Sequence, residues 1–191
     1  TLSSDGGDLT ITTSVTADGD GDVILNTTNA GNVILTGTTT AAGHEVTVNS
    51  VGSISGAGLV TAATVDLNAA TGIVANLAAS TITADNSTSG DVDIDNALAG
   101  AVTVSSLTTA GGGTILFENT GAGGVSFGTV STTGDGSPLN GEDDITLSSD
   151  GGDLTITTSV TADGDGDVIL NTTNAGNVIL TGTTTAAGHE V

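Results

Sequence analysis

Residues 1–46 read TLSSDGGDLTITTSVTADGDGDVILNTTNAGNVILTGTTTAAGHEV, and the same stretch stands again, without one change, at 146–191. The 191-residue chain is therefore one complete unit, 1–145, followed by the opening of an identical second unit, 146–191. Self-similarity at a fixed period marks an architecture built by stacking: one repeat cannot bury its own apolar side, but neighbours can bury it for one another. Any site in this stretch is present twice. Multiplication of that kind suits a filament, a stalk or a polyvalent surface better than a catalytic centre.

Inside the unit, short apolar–x–apolar runs follow Gly or an acidic residue: Gly21-Asp22-Val23-Ile24-Leu25, Gly31-Asn32-Val33-Ile34-Leu35, Gly90-Asp91-Val92-Asp93-Ile94, Gly100-Ala101-Val102-Thr103-Val104 and Gly124-Val125-Ser126-Phe127. Period-two alternation bounded by turn residues predicts half-buried strands. One series of strand starts runs 145, 168, then (by equivalence of 168 and 23) 46, 65, 82, 102, 125 and back to 145. A second series runs through Leu9, Val33, Ile54, Ile73, Val92 and Ile115, and lapses in the Gly-rich segment around Pro138, read as a looser turn or protruding loop. These spacings predict about 21 residues per coil and about seven coils per unit, each unit being about 34 Å long at the spacing of stacked strands. The expected fold is all-β, a right-handed parallel β-helix (β-solenoid), with two long strands per coil and a short third near Val15, Leu107 or Val130. Tandem Ig-like β-sandwich repeats are the alternative, but no Trp or Tyr is present to anchor a sandwich core.

Composition narrows the reading further. The chain has 30 Gly, one Pro, two Phe and no Lys, Arg, Cys, Met, Trp or Tyr, so its core must be a thin column of Val, Ile, Leu and Ala. High charge with few aromatics also fits disorder, but a mean hydropathy of +0.26 and regular apolar alternation argue against it. The formal charge is −22 with no basic side chain, so no Lys or Arg salt bridge exists within the chain. Each carboxylate must face water, accept hydrogen bonds or sit on an external cation. Nucleic acid and anionic membrane surfaces are excluded as partners, since nothing here neutralises phosphate. About nine coils over about 43 Å would carry close to one charge per 2 Å, near the line density of duplex DNA. Such a rod repels its neighbours at low ionic strength and belongs in saline or calcium-rich surroundings. No run is long and apolar enough for a membrane helix, no signal peptide opens the chain, and a targeting segment is expected upstream. Without Lys or Arg, the chain should also resist trypsin.

The Gly-Asp/Asn-Val-x-Leu/Ile strands at 21–25, 31–35 and 90–94, set in Thr/Ser/Ala/Gly-rich turns, resemble the filamentous-haemagglutinin-like exoproteins and large repetitive autotransporter adhesins of Gram-negative bacteria. The resemblance covers nearly the whole chain but is compositional. The lack of Lys and Arg departs from the family pattern, as does the unchanged long repeat, and the secretion route stays open. What the resemblance implies is a right-handed β-helix, export to the bacterial cell surface and a part in adhesion, aggregation or biofilm.

Among candidate chemistry, Asp18-Gly19-Asp20-Gly21-Asp22 and its copy Asp163, Asp165 and Asp167 alternate carboxylates as the start of a calcium loop does. The EF-hand match fails at the sixth and twelfth positions, Val23 and Asn29. A calcium site bridging turns of adjacent coils, with Asp5 and Asp8 nearby, stands against the preferred reading of a solvated acidic turn. No cofactor is required; calcium is the one considered. The outward row Thr146, Ile24, Thr47, Asp66, Thr83, Thr103 and Ser126 is rich in hydroxyls, yet ordinary β-propensity accounts for it better than a glycan or ice surface does. His44 and His189 share one repeat position in Gly-His-Glu and have no partner that would make a metal or base site. Asn26 and Asn86 begin N-x-Thr sequons, and Asp91 with Asp93 mimics a glycosidase pair. An enzyme is not expected: nothing basic stabilises developing negative charge, and no pocket-forming insertion is evident. The function expected is a structural repeat of an extracellular filament or adhesin stalk. Its partners would be neighbouring repeats, laterally adjacent filaments and surface or matrix glycans. A calcium- or carbohydrate-binding repeat module is the alternative.

Overall fold

The structure is a computed structural model that describes residues 1–134, 142–187 and 190–191. Pro138 and its Gly-rich neighbours, and His189, lie outside the described residues. Every regular element described is a strand. In chain order they are β1 Leu2–Asp5, β2 Leu9–Ile11, β3 Ser14–Ala17, β4 Val23–Thr28, β5 Val33–Leu35, β6 Thr38–Asn49, β7 Ile54–Ser55, β8 Leu59–Ala69 and β9 Ile73–Asn86. There follow β10 Val92–Asn96, β11 Val102–Ala110, β12 Ile115–Asn119, β13 Val125–Thr133, β14 Ile145–Asp150, β15 Leu154–Ala162, β16 Val168–Thr173, β17 Val178–Leu180 and β18 Thr183–Ala186.

All pairings between these strands are parallel and join residues one turn apart, the chain neighbours β8–β9 and β9–β10 included, because β9 runs through a corner. The chain is thus a parallel β-solenoid of about eight turns, with successive turns about 23 residues apart. Two inward columns define its sides. Side A stacks Leu2, Leu25, Val48, Leu67, Ala84, Leu107, Val130, Val160 and Thr184. Side B stacks Leu9, Val33, Ile54, Ile73, Val92, Ile115, Ile145 and Val168. Strands β6, β8 and β9 run through the corner from side B to side A.

Alternation dictates the core. In β10 the inward residues Val92, Ile94 and Asn96 are buried while Asp93 and Asp95 point out, and β12 repeats the pattern with Ile115, Phe117 and Asn119. The aliphatic column is narrow enough that one pair of aromatic rings bridges it: Phe117 from side B meets Phe127 from side A edge to face, ring centroids 5.2 Å apart. Where the column ends at a corner, two buried amides form a ladder. Asn96 accepts from the Ala79 amide at 3.0 Å and donates to the Asn119 side chain at 3.1 Å; Asn119 in turn donates to the Gly121 and Gly123 carbonyls. Glycine is required where turns touch: a Cβ on Gly123 would run into the Gly100 carbonyl, and one on Gly31, at φ 115°, into that of Gly7.

The register departs from the sequence reading at two places: Ile82 pairs with Val104 and not with Val102, and the larger change lies at the copy junction. Val125 pairs with Leu154, not with Ile145, and Ile145 stacks on Ile115. The two sequence series therefore exchange sides at the copy junction. Counting each crossing of a side as a half-turn, Leu9 on side B and its copy Leu154 on side A stand thirteen half-turns apart, so the unit holds six and a half turns and not seven. Leu9 pairs with Val33 on side B, while Leu154 pairs with Val178 on side A. Leu2 pairs with Leu25 on side A, while Leu147 pairs with Leu170 on side B. The physical reason is that both sides carry the same alternation, so spacing alone cannot tell one from the other. The two steps that flank the Gly-rich segment, from 115 to 145 and from 125 to 154, are also the longest. Of the positions expected to form a short third strand, Val15 has one of its own, β3 on side B, whereas Leu107 and Val130, with the copy Val160, lie inside the long strands β11, β13 and β15 of side A.

Candidate functional site

The acids that open strands are braces between turns. A residue at a corner has its amide along the solenoid axis with no ladder carbonyl opposite it, and the carboxylate one turn away fills that vacancy. Asp8 accepts from the Asn32 amide at 2.8 Å and from its side chain at 3.0 Å; the copy, Asp153, accepts both from Asn177 at 2.9 Å. Asp22 accepts from the Glu45 amide, Asp91 from the amide and hydroxyl of Thr114, Asp144 from the Asp167 amide and Asp167 from the Glu190 amide. Asp5 and its copy Asp150 accept from the Thr-Asn pair one turn on, Thr28-Asn29 and Thr173-Asn174. The amide of Asn177, and then its side chain, hold the Asp153 carboxyl below its ordinary value of 3.8. The sequence signal for this role was the Gly-Asp/Asn-Val strand opening.

The calcium-loop candidates fall in two different settings. Asp18, Asp20 and Asp22 are exposed, with the His44 ring 3.8 Å from Asp20 and 4.0 Å from Asp22. In the second copy Asp163 accepts from the Gly134 amide at 3.1 Å, and Asp165 and Asp167 are half-buried beside the turn of Glu142, Asp143 and Asp144. Among the described residues, no group of three or more His, Cys, Asp or Glu side chains converges so as to hold a metal ion.

On side B, Asp93 and Asp95 stand on the outer face of β10, with Val74 and Leu116 opposite Asp93 and Glu118 opposite Asp95. Partial burial first, then the charges of Asp95 and Asp91, push the Asp93 carboxyl above 3.8. A carboxyl of raised pKa beside a second acid is an arrangement that glycosidases use. Here it sits on an outer sheet face, away from an open groove at another corner.

That groove, of about 410 Å³ and open to solvent, follows the corner after side A and is lined by Asn49, Val51, Asn68 and Asp85 among others. Its wall is an amide ladder in which Asn68 donates to Asn49 at 3.1 Å and Asn49 to Asn26 at 2.9 Å. Asn26 is thus half-exposed, whereas Asn86 is 1% exposed and donates inward to Ser89, Gly90 and Thr109, which leaves no room for a glycan on it.

The predicted hydroxyl row is rearranged. Thr146 belongs to side B, and a register shift at Val104/Ser106 puts Ser106, not Thr103, beside Thr83. Side A instead carries three outward columns: Thr81, Thr103, Ser126 and Thr155; Thr83, Ser106, Thr129, Ser159 and Thr183; and Thr108, Ser131, Thr161 and Thr185. Fold and surface define a repeat-built parallel β-solenoid with acid-braced corners. No family model, curated protein or solved structure matches the chain. Among the described residues no helix is long and apolar enough to cross a membrane.

Proposed function

We propose that this chain is a structural segment of an extracellular filament or adhesin stalk of the filamentous-haemagglutinin-like kind, giving reach and lateral contact at a bacterial surface. The observation that carries the reading is the uninterrupted stack through the copy junction: β14 pairs backwards with β12 and forwards with β16, so an identical second unit extends the same rod. Rigid elongation is what such stacking delivers, since each turn contacts only its neighbours. A charge of −22 favours a solvated exterior role over packing inside a larger globule. The test is to append a second complete copy and compare the two proteins by small-angle X-ray scattering. The filament reading expects the long dimension to grow by about 31 Å, six and a half strand spacings, at constant cross-section. Two beads joined by a flexible link would contradict it. Displayed on a non-adherent cell, the longer rod should also increase clumping in saline; no change in clumping counts against an adhesive role.

A further inference from the structure

The carboxylates are unevenly placed. Between Asp95 and Asp135 the sequence holds a single acid, Glu118, and that residue points outward on side B. Side A therefore presents β11, β13, β15 and β18 as four stacked strands with no acid in them, in a chain of net charge −22. Their outer faces offer Thr103, Ser106, Ser126, Thr129, Ser131 and Thr155. Among the described residues none of these six hydroxyls is bonded within the chain, whereas Thr108 donates to Asp85 at the edge of the patch.

We propose that this acid-free hydroxyl face is the surface through which two copies of the chain pair side by side. The proposal rests on the filament reading and names the face it would use. Two features on this surface choose a second copy as the occupant. Two such rods meeting through the outer faces of β10 and β12 would set Asp93, Asp95 and Glu118 against one another, whereas approach through this hydroxyl face meets no like charge. Each hydroxyl both donates and accepts, and two copies share one repeat along the axis of about 4.8 Å, so every column can find partners at every turn. Because copies are displaced by thirteen half-turns, a second complete unit would carry this face on side B, and a two-unit chain would bridge partners on both sides.

The test is sedimentation equilibrium of the 191-residue chain at low and high sodium chloride, with a chelator present throughout. Association should strengthen with salt, as screening relieves the remaining repulsion. Ser106→Asp with Thr129→Asp should weaken it at least about tenfold, while Thr146→Asp with Asn171→Asp, the same added charge on side B, should leave it within about twofold. Circular dichroism and melting check that each variant folds. Mixing the double-Asp protein with Ser106→Lys/Thr129→Lys should yield a heterodimer tighter than the parent pair, which a merely structural effect would not produce. A rod that stays monomeric at every salt concentration overturns the proposal while leaving the filament reading intact. Equal weakening by both acidic pairs also overturns it, as does loss of binding to an insoluble neutral glucan without change in self-association.

Discussion

At Asp91 one carboxylate has two consequences of opposite sign. It accepts from the Thr114 amide and hydroxyl, and its charge helps to raise the Asp93 carboxyl. Asp91→Ala should lower stability by about 0.5–1.5 kcal/mol in urea unfolding, the net worth of such bonds. Asp91→Asn keeps an acceptor and removes a charge, and should be neutral or stabilising. Asp20, whose exposed carboxylate lies 3.8 Å from the His44 ring, should tolerate Ala with a change within about 0.5 kcal/mol. The pH dependence follows from two directions. The Asp153 carboxyl is lowered in the fold, so its contribution is present above its unfolded value near 3.8 and is lost as pH falls through the folded value below that. The Asp93 carboxyl is raised, so it opposes folding at neutral pH, and that opposition is relieved as pH falls through its folded value above 3.8. Asp93→Asn should therefore raise the neutral-pH melting temperature, with the gain shrinking as the pH is lowered towards 4 or as salt is added; an unchanged melting curve at pH 7 would refute this.

The strands themselves were readable because Val, Ile and Leu alternate with Thr, Asp and Asn and because Gly marks the corners. Val23, Val33, Val92, Val102 and Val125 all begin strands where their Gly-Asp or Gly-x openings place them. What spacing could not supply was side. Ile145 follows Val125 at a distance typical of one turn, yet it stacks on Ile115, because identical alternation on both sides makes a half-turn and a full turn look alike. The buried amides were also missed: Asn96 and Asn119 occupy inward positions that a pattern of apolar residues does not announce. The acidic turns at Asp18 and Asp163 share one sequence but not one setting, so no local motif could foresee which acids would gather near Asp143. Two element-level changes follow. Phe117→Ala, which removes one of the largest fully buried side chains, should destabilise by about 3–5 kcal/mol. Asn119→Leu strips the Gly121 and Gly123 carbonyls and Asn96 of a partner and should cost about 1–3 kcal/mol, measurable by thermal or urea melts.

Across the whole molecule, a stack with no Lys or Arg is held by hydrogen bonds along the axis and an aliphatic centre, and is opposed by its own charge. Its melting temperature should climb with sodium chloride alone. A further large rise with calcium that a chelator reverses would establish specific ion binding at the acidic turns, whereas a response tracking ionic strength would mean screening. Everything at this scale depends on the sides exchanging at the copy junction. The chain has no Cys, so paired substitutions read that geometry without interference. Ser126 and Thr155 are outward neighbours on side A, while Thr146 lies on side B. Ser126→Cys with Thr155→Cys should close a disulfide readily under mild oxidation, their Cα atoms being about 4.8 Å apart as on adjoining strands. Ser126→Cys with Thr146→Cys should stay reduced. The reverse result would make the repeat a whole number of turns, and failure of both pairs to close would contradict the stacked solenoid itself.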